Sequence, residues 1–174
     1  MKLKKRYLLW IVFAAVVAAA VAVDQATKFG LEGMEKSLIG NFLWITSVHN
    51  EGAAFSMFEG ARWVFVGIGI ASFIAILYVI FFDKKITKDY LSSVALGMIA
   101  GGIVGNVVDR IAYGAVRDFI DFRFSGFAIF NFADSFLCVG CGLLILWVIL
   151  SSVKDYRNKK AESAKKPEKT EENK

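Results

Sequence analysis

The stretch FNFADSFLCVGCGLLILWVILSS, residues 130–152, decides the fold. No charge appears from 135 to 153, about 19 residues, and at about 1.5 Å rise per residue a helix of that length matches a hydrocarbon core of about 30 Å. A carboxylate, Asp134, stands at the lip of this run. Three more charge-free apolar runs cover 7–23, 63–82 and 91–108. The 174-residue chain is 56% hydrophobic, with a mean hydropathy of +0.53, too apolar for a soluble domain of this size. A bilayer offers no water to bare backbone groups, so each run is read as a helix. The expected class is an α-helical integral membrane protein with four transmembrane spans. A cleavable signal peptide competes for the first run, because KLKKR precedes it and small residues precede Asp24. The run is long for a signal h-region, and functional-looking residues follow it, so it is read as a retained span.

Basic residues set the expected orientation. Lys2, Lys4, Lys5 and Arg6, then Lys84, Lys85 and Lys88, then the Lys-rich tail fall on one side of an even number of spans. That side is expected to be cytoplasmic, with both termini there, and the loops 24–62 and 109–134 are expected to face outward. The net charge of +5 then marks topology and contacts with anionic lipid, and needs no nucleic acid. Residues 1–153 are expected to form one four-span domain. Residues 154–174 read as a disordered basic cytoplasmic tail, carrying mixed charges and the only proline. Cys138 and Cys141 are read as small buried apolar residues, since no histidine stands near them for a metal site.

The outward segments hold the polar residues. In DQATK, Asp24 and Lys28 lie at i and i+4 of a continued helix, within pairing reach; an exposed surface ion pair is the competing reading. The run 42–48 suits one or two short strands and leads into Asn50, Glu51 and Gly52, where a ligand or backbone could approach closely. His49 has no partner at metal-ligand spacing. In the third span, Gly97, Gly101 and Gly105 fit close helix packing. Asn106, Asp109 and Arg110 follow on one helical face, either as a snorkelling anchor or as an inward polar cluster. Asp118 lies in VRDF, where strand alternation would turn Arg117 and Phe119 away from it. Asn131 and Asp134 lie at i and i+3 around the small Ala133.

Three spans thus bring an aspartate to one membrane level. Ligands for zinc, a Ser–His pair and a phosphate loop are not apparent. Carboxylate chemistry remains: two close acids share one proton, the ionised member takes a proton from water and the other polarises a carbonyl, which hydrolyses a peptide bond. Ion or proton transport is the competing class, disfavoured because no inverted repeat or broken helix is seen. A purely structural membrane protein would leave these polar groups without a role.

DQATK (24–28), NEGAAF (50–55), GGIVGNVVDR (101–110), VRDF (116–119) and FNFAD (130–134), in this order, resemble the bacterial lipoprotein signal peptidases, or signal peptidase II, a family of membrane aspartic proteases. The resemblance implies a small extracytoplasmic β-rich cradle, loosely at 42–48, and a short surface helix, loosely at 52–60. It implies removal of the signal peptide from diacylglyceryl-modified prolipoproteins, on the amino side of the lipid-modified lipobox cysteine, in the bacterial cytoplasmic membrane near its outer leaflet. No metal or organic cofactor is implied. Prolipoproteins and membrane lipids are the implied partners, and globomycin-like peptides the implied inhibitors. The implied catalytic pair is Asp118 and Asp134; Asp24, Lys28, Asn50, Gly52, Asn106, Asp109, Arg110 and Asn131 are implied to bind substrate or support the pair. Asp109 is the chief rival for a catalytic role, and Asp121 is peripheral. Arg117 departs from the family, which often has an apolar residue there.

Overall fold

The computed structural model describes residues 3–52, 60–83, 86, 89–124 and 126–165. Along the described residues the elements run in the order α1 (Leu3–Gly30), β1 (Glu35–Ile39), β2 (Leu43–Asn50), α2 (Arg62–Phe82), α3 (Tyr90–Tyr113), β3 (Val116–Asp121) and α4 (Phe132–Lys165). All four helices are long and apolar enough to cross a membrane. Helix α3 is the hub. Half of its apolar window is buried, against 11–22% for the other three, which leave their outer faces for lipid.

Glycines let α3 hold that position. A Cβ at Gly101 would stand 2.5 Å from the Ala20 Cβ of α1, and one at Gly105 would stand 2.5 Å from Asp24 Oδ2. On the opposite side, a Cβ at Gly102 would overlap the Ala133 carbonyl of α4. The small-residue stripe therefore sets two helix contacts at once and leaves room for a buried carboxylate.

Three of the four helices outlast their apolar runs, while α2 ends with its run at Phe82. Helices α1 and α3 continue beyond the expected ends at 23 and 108 to Gly30 and Tyr113, because their polar final turns are bound to neighbouring elements rather than to water. Helix α4 continues from the expected end at 153 to Lys165, so the disordered tail expected from 154 is helical as far as 165. Ala, Lys, Arg and Glu in this segment are strong helix formers, and a charged composition alone did not reveal that. Residues 166–174 lie outside the described residues.

The strands form one antiparallel sheet in the order β1-β2-β3. Strand β2 matches the expected extended run and continues to Asn50; β1 was not anticipated. Residue 130 adds a bridge to Ile120, with Phe130 N donating to Ile120 O at 3.2 Å and Ile120 N returning to Phe130 O at 2.8 Å. The surface helix expected at 52–60 falls mainly on 53–59, outside the described residues. Cys138 and Cys141 are exposed, not buried; it is Gly140 that faces α3.

Candidate active site

Asp134 owes its position to a local sequence device. Asn131 caps α4, its Oδ1 accepting from Asp134 N at 3.0 Å, and Asp134 Oδ2 accepts in return from Asn131 N at 3.2 Å. This is a reciprocal capping box written in N-x-x-D. The box fixes the carboxylate at the first turn of α4, and Asn106 Nδ2 of α3 holds its other oxygen at 2.8 Å. Ala133, fully buried, donates its N–H to Asp24 Oδ1 at 2.9 Å, which pins the start of α4 to α1.

Strand β3 supplies Asp118. Register pairs it with Val48, while Asn50 pairs with Val116, so Asn50 and Asp118 share one face. Asn50 Nδ2 donates to Asp118 Oδ2 at 3.0 Å, and Asn131 Nδ2 donates to Asp118 Oδ1 at 2.6 Å. One asparagine thus touches both acids. Asn50 Oδ1 accepts from Gly52 N at 3.1 Å, and Arg110 Nη2 donates to Gly52 O at 3.0 Å. Arg110 therefore turns inward; its guanidinium also lies 4.9 Å from the Phe65 ring centre.

A cavity of about 540 Å³ opens over this arrangement. Asn50, Gly52, Asn106, Arg110, Asp118 and Asp134 give it a polar floor. Apolar side chains, among them Phe127, Ile129 and Phe130, with Val139 and Cys138 of α4, form its walls. Among the described residues lining it, Asp118 and Asp134 are the only acids. Burial pushes Asp118 up to about 7; the Asn50 and Asn131 bonds oppose that rise, and the neighbouring Asp134 charge adds to it.

The remaining candidates form a second cluster behind the cavity. Asp24, Lys28 and Asp109 are buried to within 1%, so Asp24–Lys28 is not the exposed pair of the competing reading. Lys28 Nζ lies 2.9 Å from Asp24 Oδ2 and 3.2 Å from Asp109 Oδ2, and donates to Asn106 Oδ1 at 3.1 Å. Asp109, the rival acid, spends both oxygens inside the protein and does not line the cavity. Asp121 accepts from Thr46 and Arg123, away from the cavity. His49 lies exposed, 3.5 Å from Glu32.

Sequence reasoning missed two members of that cluster. Arg117 Nη2 lies 2.8 Å from Asp109 Oδ1, and Gln25 links Asp24, Asp109 and Arg117. Burial works against the Arg117 charge, but the Asp109 bonds prevail and hold the guanidinium above its ordinary value. The alternation of β3 was the available signal: a residue next to Asp118 must face the opposite cluster.

The family model described as "Signal peptidase (SPase) II" matches residues 16–150. The chain belongs to the signal peptidase II family. It is similar to the lipoprotein signal peptidase of Halalkalibacterium halodurans, 37% identical over 158 residues, 86% of this chain and 99% of that protein. It is likewise similar to that of Symbiobacterium thermophilum, 41% identical over 138 residues, 75% of this chain and 90% of that protein. Two solved bacterial membrane enzyme structures share the fold at 34% identity. One has a TM-score of 0.71 and covers 84% of this chain and 90% of its own; the other has 0.68 and covers 78% and 91%. Family and fold together make this a multi-pass membrane peptidase of the signal peptidase II type, with four spanning helices and a three-stranded sheet.

Proposed function

We propose that this signal peptidase II removes signal peptides from diacylglyceryl-modified bacterial prolipoproteins, cutting on the amino side of the lipid-modified lipobox cysteine, with Asp118 and Asp134 as an aspartic dyad. One observation carries the reading: among the described residues, the two acids lining the cavity are held by neutral amides, and Asn131 bonds both. Neutral donors leave the pair free to change protonation, and the raised Asp118 keeps a proton on the pair at neutral pH.

In this mechanism the ionised member takes a proton from water, and the water oxygen attacks the scissile carbonyl carbon. The protonated member gives its proton to the carbonyl oxygen. As the tetrahedral intermediate collapses, one of its hydroxyls returns its proton to the now ionised member, the C–N bond breaks and the leaving amine takes a proton from the other member, which restores the singly protonated pair. The pair titrates jointly. Arg110, Asn50 and Gly52 at the cavity floor orient the substrate backbone, and the apolar walls receive the residues and acyl chains beside the cut.

Residues 1–153 act as one membrane domain. The basic residues at both ends and at 84–88 support cytoplasmic termini, and with that orientation the outward ends of α1, α3 and α4, and the cavity, lie near the outer leaflet. A signal helix and two acyl chains then stay in lipid while only the cleavage site leaves it. Globomycin-like peptides would compete in the same cavity, and the reaction needs no metal.

The test uses purified protein in lipid, a fluorescent diacylglyceryl-cysteine prolipopeptide and its unlipidated twin, with chelator present. Cleavage of the lipidated peptide alone, lost by about 10³-fold in Asp118→Asn and in Asp134→Asn, is expected. Near-normal turnover in either folded variant overturns the dyad.

A further inference from the structure

The residue beside Asp118 makes an unusual set of contacts. Arg117 is 3% exposed and does not line the cavity. It grips a single carboxylate, that of Asp109, three times. Its backbone N–H donates to Oδ2 at 2.9 Å, its Nε to Oδ2 at 3.3 Å and its Nη2 to Oδ1 at 2.8 Å. Its guanidinium lies 4.1 Å from the Tyr113 ring centre and 3.6 Å from Glu32 Oε2. The chain between Asp109 and Arg117 reverses through Gly114, which ends α3 in the left-handed region at φ 87.

Asp109 is itself immobilised by Lys28 and Gln25 of α1. Main chain and side chain of Arg117 thus fasten the peptide before Asp118 to two helices through one buried group. Strand alternation turns the Asp118 side chain the other way, into the cavity. The buried charges of the rear cluster also balance, with Asp24 and Asp109 facing Lys28 and Arg117 and the exposed Glu32 carboxylate at its rim. Lys28 Nζ can therefore remain shared with Asn106 Oδ1, whose Nδ2 holds Asp134. An apolar residue at 117 would leave two carboxylates competing for one ammonium.

We propose that Arg117 is a positioning residue for the peptidase reaction: by clamping Asp109 it sets the backbone of β3 so that Asp118 meets Asp134 across the cavity. It acts from the face of the strand opposite the chemistry and contacts no substrate. This rests on the dyad reading of Asp118 and Asp134.

The test compares wild type, Arg117→Leu and Arg117→Lys on the lipidated peptide, with Asp118→Asn alongside. Turnover per folded enzyme is read well below each thermal midpoint. Arg117→Leu is expected to lose about tenfold in kcat, with KM within about twofold because the cavity lining is untouched. Arg117→Lys, which keeps one charged donor but not the fork, is expected to recover only to about two- to threefold below wild type. A purely structural role would lower the midpoint and leave kcat per folded molecule within about twofold; that result overturns the proposal, as does a lysine variant no better than the leucine one. Where Arg117→Leu does not fold, the lysine variant decides: kcat reduced by about two- to threefold supports positioning, and wild-type kcat overturns it. Activity in Asp118→Asn would instead break the dyad reading, so the two failures are separable.

Discussion

Two pairs of aspartates lie at the same end of this bundle and differ in what holds them. Asp24 and Asp109 are bound by cations, Lys28 to both and Arg117 to Asp109. Asp118 and Asp134 are bound by the amides of Asn50, Asn106 and Asn131 and by a backbone N–H. A cation in contact favours the ionised carboxylate, and breaking such a pair once it is buried is strongly destabilising. An amide satisfies a carboxylate without fixing its charge, and the cavity leaves the acid accessible. Partner type, not residue type, separates the two pairs, and under the proposed dyad it is what would divide supporting acids from reacting ones.

The largest effect should come from neutralising one member of the cavity pair. The Asn variants described above should lose turnover by about 10³-fold while retaining their fold. If Asp109→Asn lost turnover as completely while folding as well as wild type, the contrast between the pairs would be gone.

Removing the cation sharpens the contrast from the other side. Lys28→Met leaves Asp24 and Asp109 with one charged partner between them and strips Asn106 of a donor. Breaking a buried pair costs about 3–5 kcal/mol, so the thermal midpoint should fall by on the order of ten degrees. A midpoint within about two degrees of wild type would mean that the rear cluster contributes little to the fold.

A smaller loss is expected at the amide both acids share. Asn131→Ala removes the α4 cap, about 1 kcal/mol, and a preorganised donor to Asp118, about 10²-fold in kcat. A variant that loses only stability would reduce Asn131 to a helix cap.

Much of this was legible in the sequence, and the limits have physical causes. Charge-free runs gave all four spans, because only apolar length matters inside a bilayer. They gave the ends badly, because Asp24, Lys28, Asn106 and Asp109 read as polar termini although they are bound inside the bundle. Local spacing revealed Asn131–Asp134 and Asp24–Lys28, since i+3 and i+4 contacts are written along one helix. Pairing between elements left no such trace: that Asp109 meets Arg117 rather than the cavity depends on the Gly114 reversal. Strand β1, with its mixed sequence EKSLI, carried too little alternation to be seen. The specific roles rested on resemblance, and the geometry now supplies a physical reason for separating the acids.

The smallest expected effect is in pH dependence, and it tests the contrast through stability rather than turnover. Asp118 is buried and titrates at about 7 when folded, against 3.8 for an ordinary aspartate. Between those values the folded protein keeps a proton that the unfolded chain has lost, so folding takes one up. Stability from this group is therefore fully present below the ordinary value and is lost as pH rises through about 7. From pH 5 to 8 the loss amounts to about 2 kcal/mol. Asp118→Asn has no such titration, although its amide disturbs the Asn50 and Asn131 bonds by an amount that does not change with pH. The midpoint of the variant minus that of wild type should consequently climb by several degrees between pH 5 and 8, whatever its sign at either end. A flat difference would mean that Asp118 is ionised throughout, and the contrast between the two pairs would lose its basis in protonation.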